Sequence, residues 1–228
     1  MPEKYVPEIM TDLRAGLVKI PRVIARVSGI KIFKKKIRSV IFTTDIAIIK
    51  NTNADAVIAV YPFTPHPTIM QAISMVADVP VFSGIGGGTT QGQRAEMMAM
   101  FAEAQGALGV VVNAPTPLET IRDIDTVVDI PIIATVVHDQ TDVAALLDAG
   151  VQILNVSGGS DTAAIVRKIR NEFPRVPIMA TGGKNDAQIL ATIAAGANAI
   201  TYTPPTNGEL FAKKMAQYRE AERLKHEG

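Results

Sequence analysis

His138, Asp45 and Asp139 are the ionisable side chains that the sequence sets directly after runs of apolar, β-branched residues, where acid and base chemistry is carried out in many enzymes. Imidazole titrates nearest neutrality, so His138 is the leading proton-transfer residue, with Asp45 coming from a different run as partner or base. A plainer reading is equally open: Asp45 and Asp139 cap the helices that follow, and His138 bonds only to a loop carbonyl. A second group of residues suits an anion. Ser157-Gly158-Gly159-Ser160, Thr181-Gly182-Gly183-Lys184 and Thr203-Pro204-Pro205 each close an apolar run ahead of a helical pattern. Backbone N–H groups at a Gly pair approach a phosphate closely, the helix end adds partial positive charge, and Lys184 adds a full one. Gly158, Gly159, Thr181, Gly182, Gly183, Lys184 and Thr203 are therefore the candidate phosphate ligands, although Pro205 has no amide to give. Tyr61, Ser83, Gly86, Gly87, Asn113 and Asn155 also lie at run ends and are the candidate pocket residues. The loop holding Gly84, Gly86, Gly87, Gly88 and Gly92 reads as a closing lid or a second anion nest, with Arg94 as charge partner.

Such residues need a scaffold that brings run ends together. Apolar runs fall at 40–44, 56–61, 79–83, 109–113, 130–137, 151–156, 176–181 and 199–203, alternating with helical spacing over 66–77, 91–104, 141–147, 162–173 and 186–195. Near-continuous strands such as IPIIATVV are those of a parallel sheet buried on both faces. Eight of them with even spacing predict a single (β/α)8 TIM barrel over 38–228, preceded by an N-terminal extension over 1–37. Within the extension a short helix is expected over 7–15, and a helix or hairpin interrupted by Gly29 over 20–33, plugging the N-terminal mouth or extending an interface. The Lys34, Lys35, Lys36 and Arg38 run reads as a solvated surface feature.

Composition narrows the partners. A net charge of +1 gives no reason to expect nucleic acid, and no apolar run approaches a membrane span. With no Cys and no signal-peptide pattern, a cytoplasmic location is expected. Met97, Met98, Met100 and Phe101 spread apolar atoms around more of their helix than one stripe requires, which predicts a homo-oligomer.

The stretch VPIMATGGKNDAQILATIAAGANAITY resembles the last two βα units of the ribulose-phosphate-binding and FMN-binding barrels: apolar strand, Gly-Gly, helix, Gly-Ala, final strand. The resemblance implies a phosphate gripped by the amides of Gly182 and Gly183. The chain as a whole also resembles a group of uncharacterised bacterial barrels sometimes labelled hydrolase. Other chemistries lack their residues. Lys50, Lys168 and Lys184 all lie outside the strands, which disfavours a Schiff-base aldolase, no His pair suits a metal, and Gly-x-Ser-x-Gly is absent. What remains is acid/base chemistry on a small phosphorylated metabolite by an isomerase, epimerase, lyase or synthase, with neither metal nor cofactor required. The alternatives are a non-catalytic or regulatory phosphorylated-ligand-binding barrel, an FMN-dependent enzyme, and a hydrolase.

Overall fold

The computed structural model describes Tyr5, Pro7, Ile9, Thr11 and residues 17–226. The helix expected over 7–15 falls mostly on residues outside that set. A hairpin, β1 (Ile30–Ile32) and β2 (Lys35–Ile37), precedes eight parallel strands, which are β3 (Ser39–Phe42), β4 (Ala56–Ala59), β5 (Val81–Gly86), β6 (Gly109–Val112), β7 (Ile132–Val136), β8 (Val151–Val156), β9 (Ile178–Thr181) and β10 (Ala199–Tyr202). They close in the order β10-β3-β4-β5-β6-β7-β8-β9 into a TIM barrel. Helices follow the strands in turn: α1 (Ile46–Lys50), α2 (Pro67–Val76), α3 (Gln93–Ala104), α4 (Leu118–Val127), α5 (Val143–Asp148), α6 (Thr162–Glu172), α7 (Asp186–Ala194) and α8 (Asn207–His226).

Strand residues alternate between two cores, as the period of two demands. Val40, Ala56, Ile58, Phe82, Val111, Ile133, Ile153, Met179 and Ala199 fill the barrel's interior. Their neighbours, such as Val110, Ala134, Leu154, Ala180 and Ile200, pack outward against the helices. The hairpin closes the N-terminal mouth, because Ile30, Ile32 and Ile37 join the interior cluster while Lys31, Lys35 and Lys36 stay exposed. Of the two possibilities for 20–33, the hairpin holds for its second half and a 3-10 turn, Arg22–Arg26, for its first. Gly29 at φ +87 separates them.

Helix α8 buries no residue. The outside of the β10–β3 seam is covered instead by the N-terminal segment. Val18 bridges Thr52 beyond α1, Ile24 is fully buried in the cluster that holds Ile200, and Gly29 N–H donates to Asn198 O at 2.8 Å. On α3, Ala95, Met98, Ala99 and Ala102 face inward, leaving Met97 and Met100 in solvent. Among the described residues no helix is long and apolar enough to cross a membrane.

Candidate functional site

The C-terminal strand ends form one mouth, and its inward positions are polar on five consecutive strands: Asn113 after β6, Thr135 on β7, Asn155 on β8, Thr181 on β9 and Thr201 on β10. Thr135 Oγ1 donates to Asn113 Oδ1 at 3.2 Å, and Asn155 Nδ2 lies 3.5 Å from Thr135 Oγ1. Asn155 Oδ1 and Thr201 Oγ1 are buried with no partner, so the polarity of this layer is not satisfied internally. Asn113, Asn155 and Thr181 are read from the sequence. Thr135 and Thr201 are not, although each sits two residues beyond an apolar interior residue of its strand, Ile133 and Ala199, which is the spacing that would find them.

Two clefts open on this mouth. The larger, about 1200 Å³, lies over β8–β10 and is lined by Gly159, Thr181, Gly182, Gly183, Lys184 and Thr203 among others. Six of the seven predicted phosphate ligands therefore converge. Gly158 does not line it, and its N–H donates to Thr162 Oγ1 at 3.1 Å. The free amides differ from those expected. Gly182 N–H is taken by Thr201 O at 3.0 Å and Lys184 N–H by Gln188 Oε1 at 2.7 Å, which leaves the N–H groups of Gly159, Ser160 and Gly183 without a partner among the described residues. Lys184 and Lys213 supply positive charge at the rim. Glu209 is bound to the entrance of α8, where the Thr206 N–H and then the Thr206 hydroxyl hold its carboxylate below the usual range.

The smaller cleft, about 660 Å³, lies over β4–β6 and gathers Tyr61, Gly86, Gly87 and Asn113. Ser83 turns the other way, toward α2, into a small gap with Met70 and Ile73. Its hydroxyl is buried without a partner. The glycine loop is a fixed wall: Gly87 N–H bonds to Thr90 O and Gly88 N–H to Pro115 O, both at 2.9 Å, and Gly92 N–H to Thr120 Oγ1 at 3.1 Å.

The ionisable candidates are separated. Asp45 follows β3 and His138 follows β7, four strands round the ring of eight, so they lie on opposite sides of the mouth. Asp45 Oδ1 caps α1 by accepting from Ala47 N–H at 2.8 Å and Ile48 N–H at 3.2 Å, while Oδ2 has no partner. His138 is largely exposed. Its Nδ1 lies 3.1 Å from Gln140 N and 2.9 Å from Asp139 Oδ1 and serves one at a time: without a proton it accepts from the Gln140 N–H, with one it donates to Asp139, and Nε2 is open in either case. Asp139 is also 3.8 Å from Lys168 Nζ.

No protein-family model and no curated protein matches the sequence. Solved structures do share the fold. Phosphonopyruvate hydrolase in complex with oxalate and Mg²⁺ superposes with a TM-score of 0.60 at 15% identity, over 85% of this chain and 83% of that one. For 2,3-dimethylmalate lyase, a PEP mutase/isocitrate lyase superfamily member, the TM-score is 0.59 at 15% identity, over 90% and 82%. The 4-hydroxy-tetrahydrodipicolinate synthase of Methylacidiphilum fumariolicum SolV gives 0.58 at 14%, over 76% and 69%.

These neighbours correct the resemblance to ribulose-phosphate-binding and FMN-binding barrels, and with it the likeness to uncharacterised bacterial barrels, because the likeness runs to mutase, lyase and synthase barrels instead. The glycines that suggested it have structural causes shared by βα units in general. A Cβ at Gly182 would come within 2.6 Å of Ile200 Cγ2 and 3.0 Å of Ile189 Cγ1, and Gly196 ends α7 at φ +111. The Mg²⁺ of one neighbour finds no equivalent donor set. Among the described residues no group of three or more His, Cys, Asp or Glu side chains is placed to hold a metal, and the strand-end carboxylates Asp45 and Asp139 lie on opposite sides of the mouth.

Proposed function

We propose that this chain is an enzyme that holds the phosphate of a small metabolite in the β8–β10 cleft and moves a proton at the mouth by isomerase, epimerase, lyase or synthase chemistry. The observation that carries this reading is that Gly159, Ser160 and Gly183, whose amides have no partner among the described residues, line one cleft together with Lys184 and Lys213. Backbone donors that are not already spent are the ones able to hold an anion. Neighbours that include a hydrolase, a lyase and a synthase support catalysis as the use of this fold. In this scheme His138 gives or takes the proton through Nε2, Asp139 orients the ring by accepting from Nδ1–H once the Gln140 N–H contact is given up, and Asp45 Oδ2 serves the opposite side of the ligand. No metal or cofactor is required. The exposed Met97 and Met100 support assembly into a homo-oligomer through α3.

A second reading, a binding or regulatory barrel without catalysis, is favoured by one observation: the inward polar layer consists of Asn and Thr and holds no ionisable group. Two variants separate the readings. Ser160→Asp adds a charge on an exposed turn beside the free amides, and should weaken ribose 5-phosphate binding in calorimetry by about tenfold or more. Gly183→Asp is the poorer probe, since Gly183 stands at φ +86 with Gln188 Cβ only 2.7 Å from an added Cβ. His138→Asn should lower turnover on whichever phosphosugar in a panel reacts by about 10²-fold, with little change in affinity. Unchanged affinity in Ser160→Asp moves the phosphate elsewhere. Phosphate binding with no turnover across the panel leaves the binding reading in place.

A further inference from the structure

The cleft over β4–β6 stands opposite the anion cleft and is its chemical complement. None of its lining side chains is charged. One wall is the 61–65 loop, where Pro62 and Pro65 fix the backbone and present Phe63 with 77% of its surface exposed. Tyr61 is fixed too. Its Oη accepts from His66 N–H at 2.9 Å, which leaves the hydroxyl proton for another acceptor. The other wall is peptide backbone, pinned at Gly87 and Gly88 so that both amides are spent, and a side chain at Gly88 would meet nothing within 4 Å. Beside it, Asn113 Oδ1 is occupied by Thr135, so the Nδ2 protons of Asn113 are the ones left to donate.

A charged group entering here would lose water and find no counter-charge, so the cleft disfavours it. A flat neutral ring loses little and gains both faces, one against an aromatic and one against a peptide plane, while its acceptor atoms meet donors. We propose that the β4–β6 cleft is a second subsite that takes an uncharged, purine-sized heterocycle, with Phe63 and the glycine loop covering its faces and Asn113 Nδ2 and Tyr61 Oη donating to its ring acceptors. The heterocycle belongs to the ligand whose phosphate occupies the β8–β10 cleft, so the proposal rests on that assignment. The spacing suits one molecule. Eight strands about 4.8 Å apart and tilted by about 36° enclose a ring roughly 15 Å across, and side chains reaching inward from both rims leave a gap that a pentose spans.

Calorimetry on the full chain with inorganic phosphate, ribose 5-phosphate, adenosine and adenosine 5′-monophosphate tests this. Adenosine 5′-monophosphate should bind at least tenfold more tightly than ribose 5-phosphate. Phe63→Ala, a change at an exposed position with circular dichroism as the check on its fold, should erase that difference and leave ribose 5-phosphate affinity unchanged. Equal affinity of the two phosphates for the unmodified protein, equal weakening of both by Phe63→Ala, or no binding of either adenine compound overturns the proposal. Failure of the phosphate assignment has its own signature. Adenosine then binds as tightly as its monophosphate, Ser160→Asp alters neither, and loss of adenosine binding in Phe63→Ala still upholds the ring subsite.

Discussion

Phe82→Ala should lower the unfolding free energy by about 3–5 kcal/mol, the range for truncating a large buried aromatic. Phe82 is fully buried on β5 and belongs to the interior cluster that includes Ile30, Ile32 and Ile37 of the hairpin. Gly109 on the neighbouring strand makes room for it, since a Cβ there would stand 3.2 Å from Phe82 Cδ1 and 2.9 Å from Pro131 O. Nothing nearby can move in to fill the space. The interior of an eight-stranded barrel is closed on every side by paired backbone, so the cavity stays open and its lining loses contacts on the barrel side and the hairpin side together. Urea unfolding of the two proteins checks it. A difference below about 1 kcal/mol would mean that the hairpin collapses into the gap and that the plug and barrel are loosely coupled.

The barrel itself is legible in the sequence because buried parallel strands leave a plain mark: continuous β-branched runs, each ended by a polar residue. The limits of reading lie where a residue serves two patterns. β5 continues to Gly86, beyond the expected end at 83, because Gly84 and Gly86 look like loop residues, while Ile85, fully buried, is the extra residue of a bulge after which pairing with β6 resumes at Gly86. α8 offers no stripe to read, since it buries nothing. In the site, residue types at strand ends were legible and ring positions followed from counting: the first and fifth strands of eight lie opposite, which separates Asp45 from His138. Which amides remain free was not legible. Gly182 spends its own on Thr201 O, one step past the end of the β9–β10 ladder, and Lys184 on Gln188 Oε1 in the first turn of α7, neither of which follows from the Gly-Gly spacing.

Arg170→Met should cost about 3 kcal/mol or more and weaken phosphate binding as well, although Arg170 is at the far end of the barrel from the site. Its guanidinium, partly buried so that desolvation holds its pKa below the ordinary value, reaches the two loops that feed β9 and β10. Nη1 donates to Pro174 O and Val176 O at 2.8 Å, Nη2 to Gly196 O at 3.0 Å and to Asn198 Oδ1 at 2.7 Å, and Nε to Gly196 O at 3.2 Å. Asn198 in turn donates from Nδ2 to Ser28 Oγ at 2.9 Å and accepts at Oδ1 from Ile178 N–H at 2.9 Å, so one planar cation ties α6, both strand entrances and the N-terminal segment. Hydrogen bonds from a charged donor are worth about 1.5–3 kcal/mol each, and water reaching the half-exposed carbonyls recovers part of the loss. Met keeps the length and apolar stem but supplies no donor, whereas Lys keeps the charge as a single point and cannot serve four acceptors in one plane. Arg170→Lys should therefore recover less than half of the lost stability. The effect on the site follows from rigidity: β9 and β10 carry Thr181, Thr201 and the Gly183 and Lys184 amide turn, and a strand whose entrance is released shifts its exit. Urea denaturation and ribose 5-phosphate calorimetry on Arg170→Met decide it together. A loss of stability with unaltered affinity would show that the two ends of β9 and β10 are mechanically independent, and no loss at all would show that solvent replaces the guanidinium without cost.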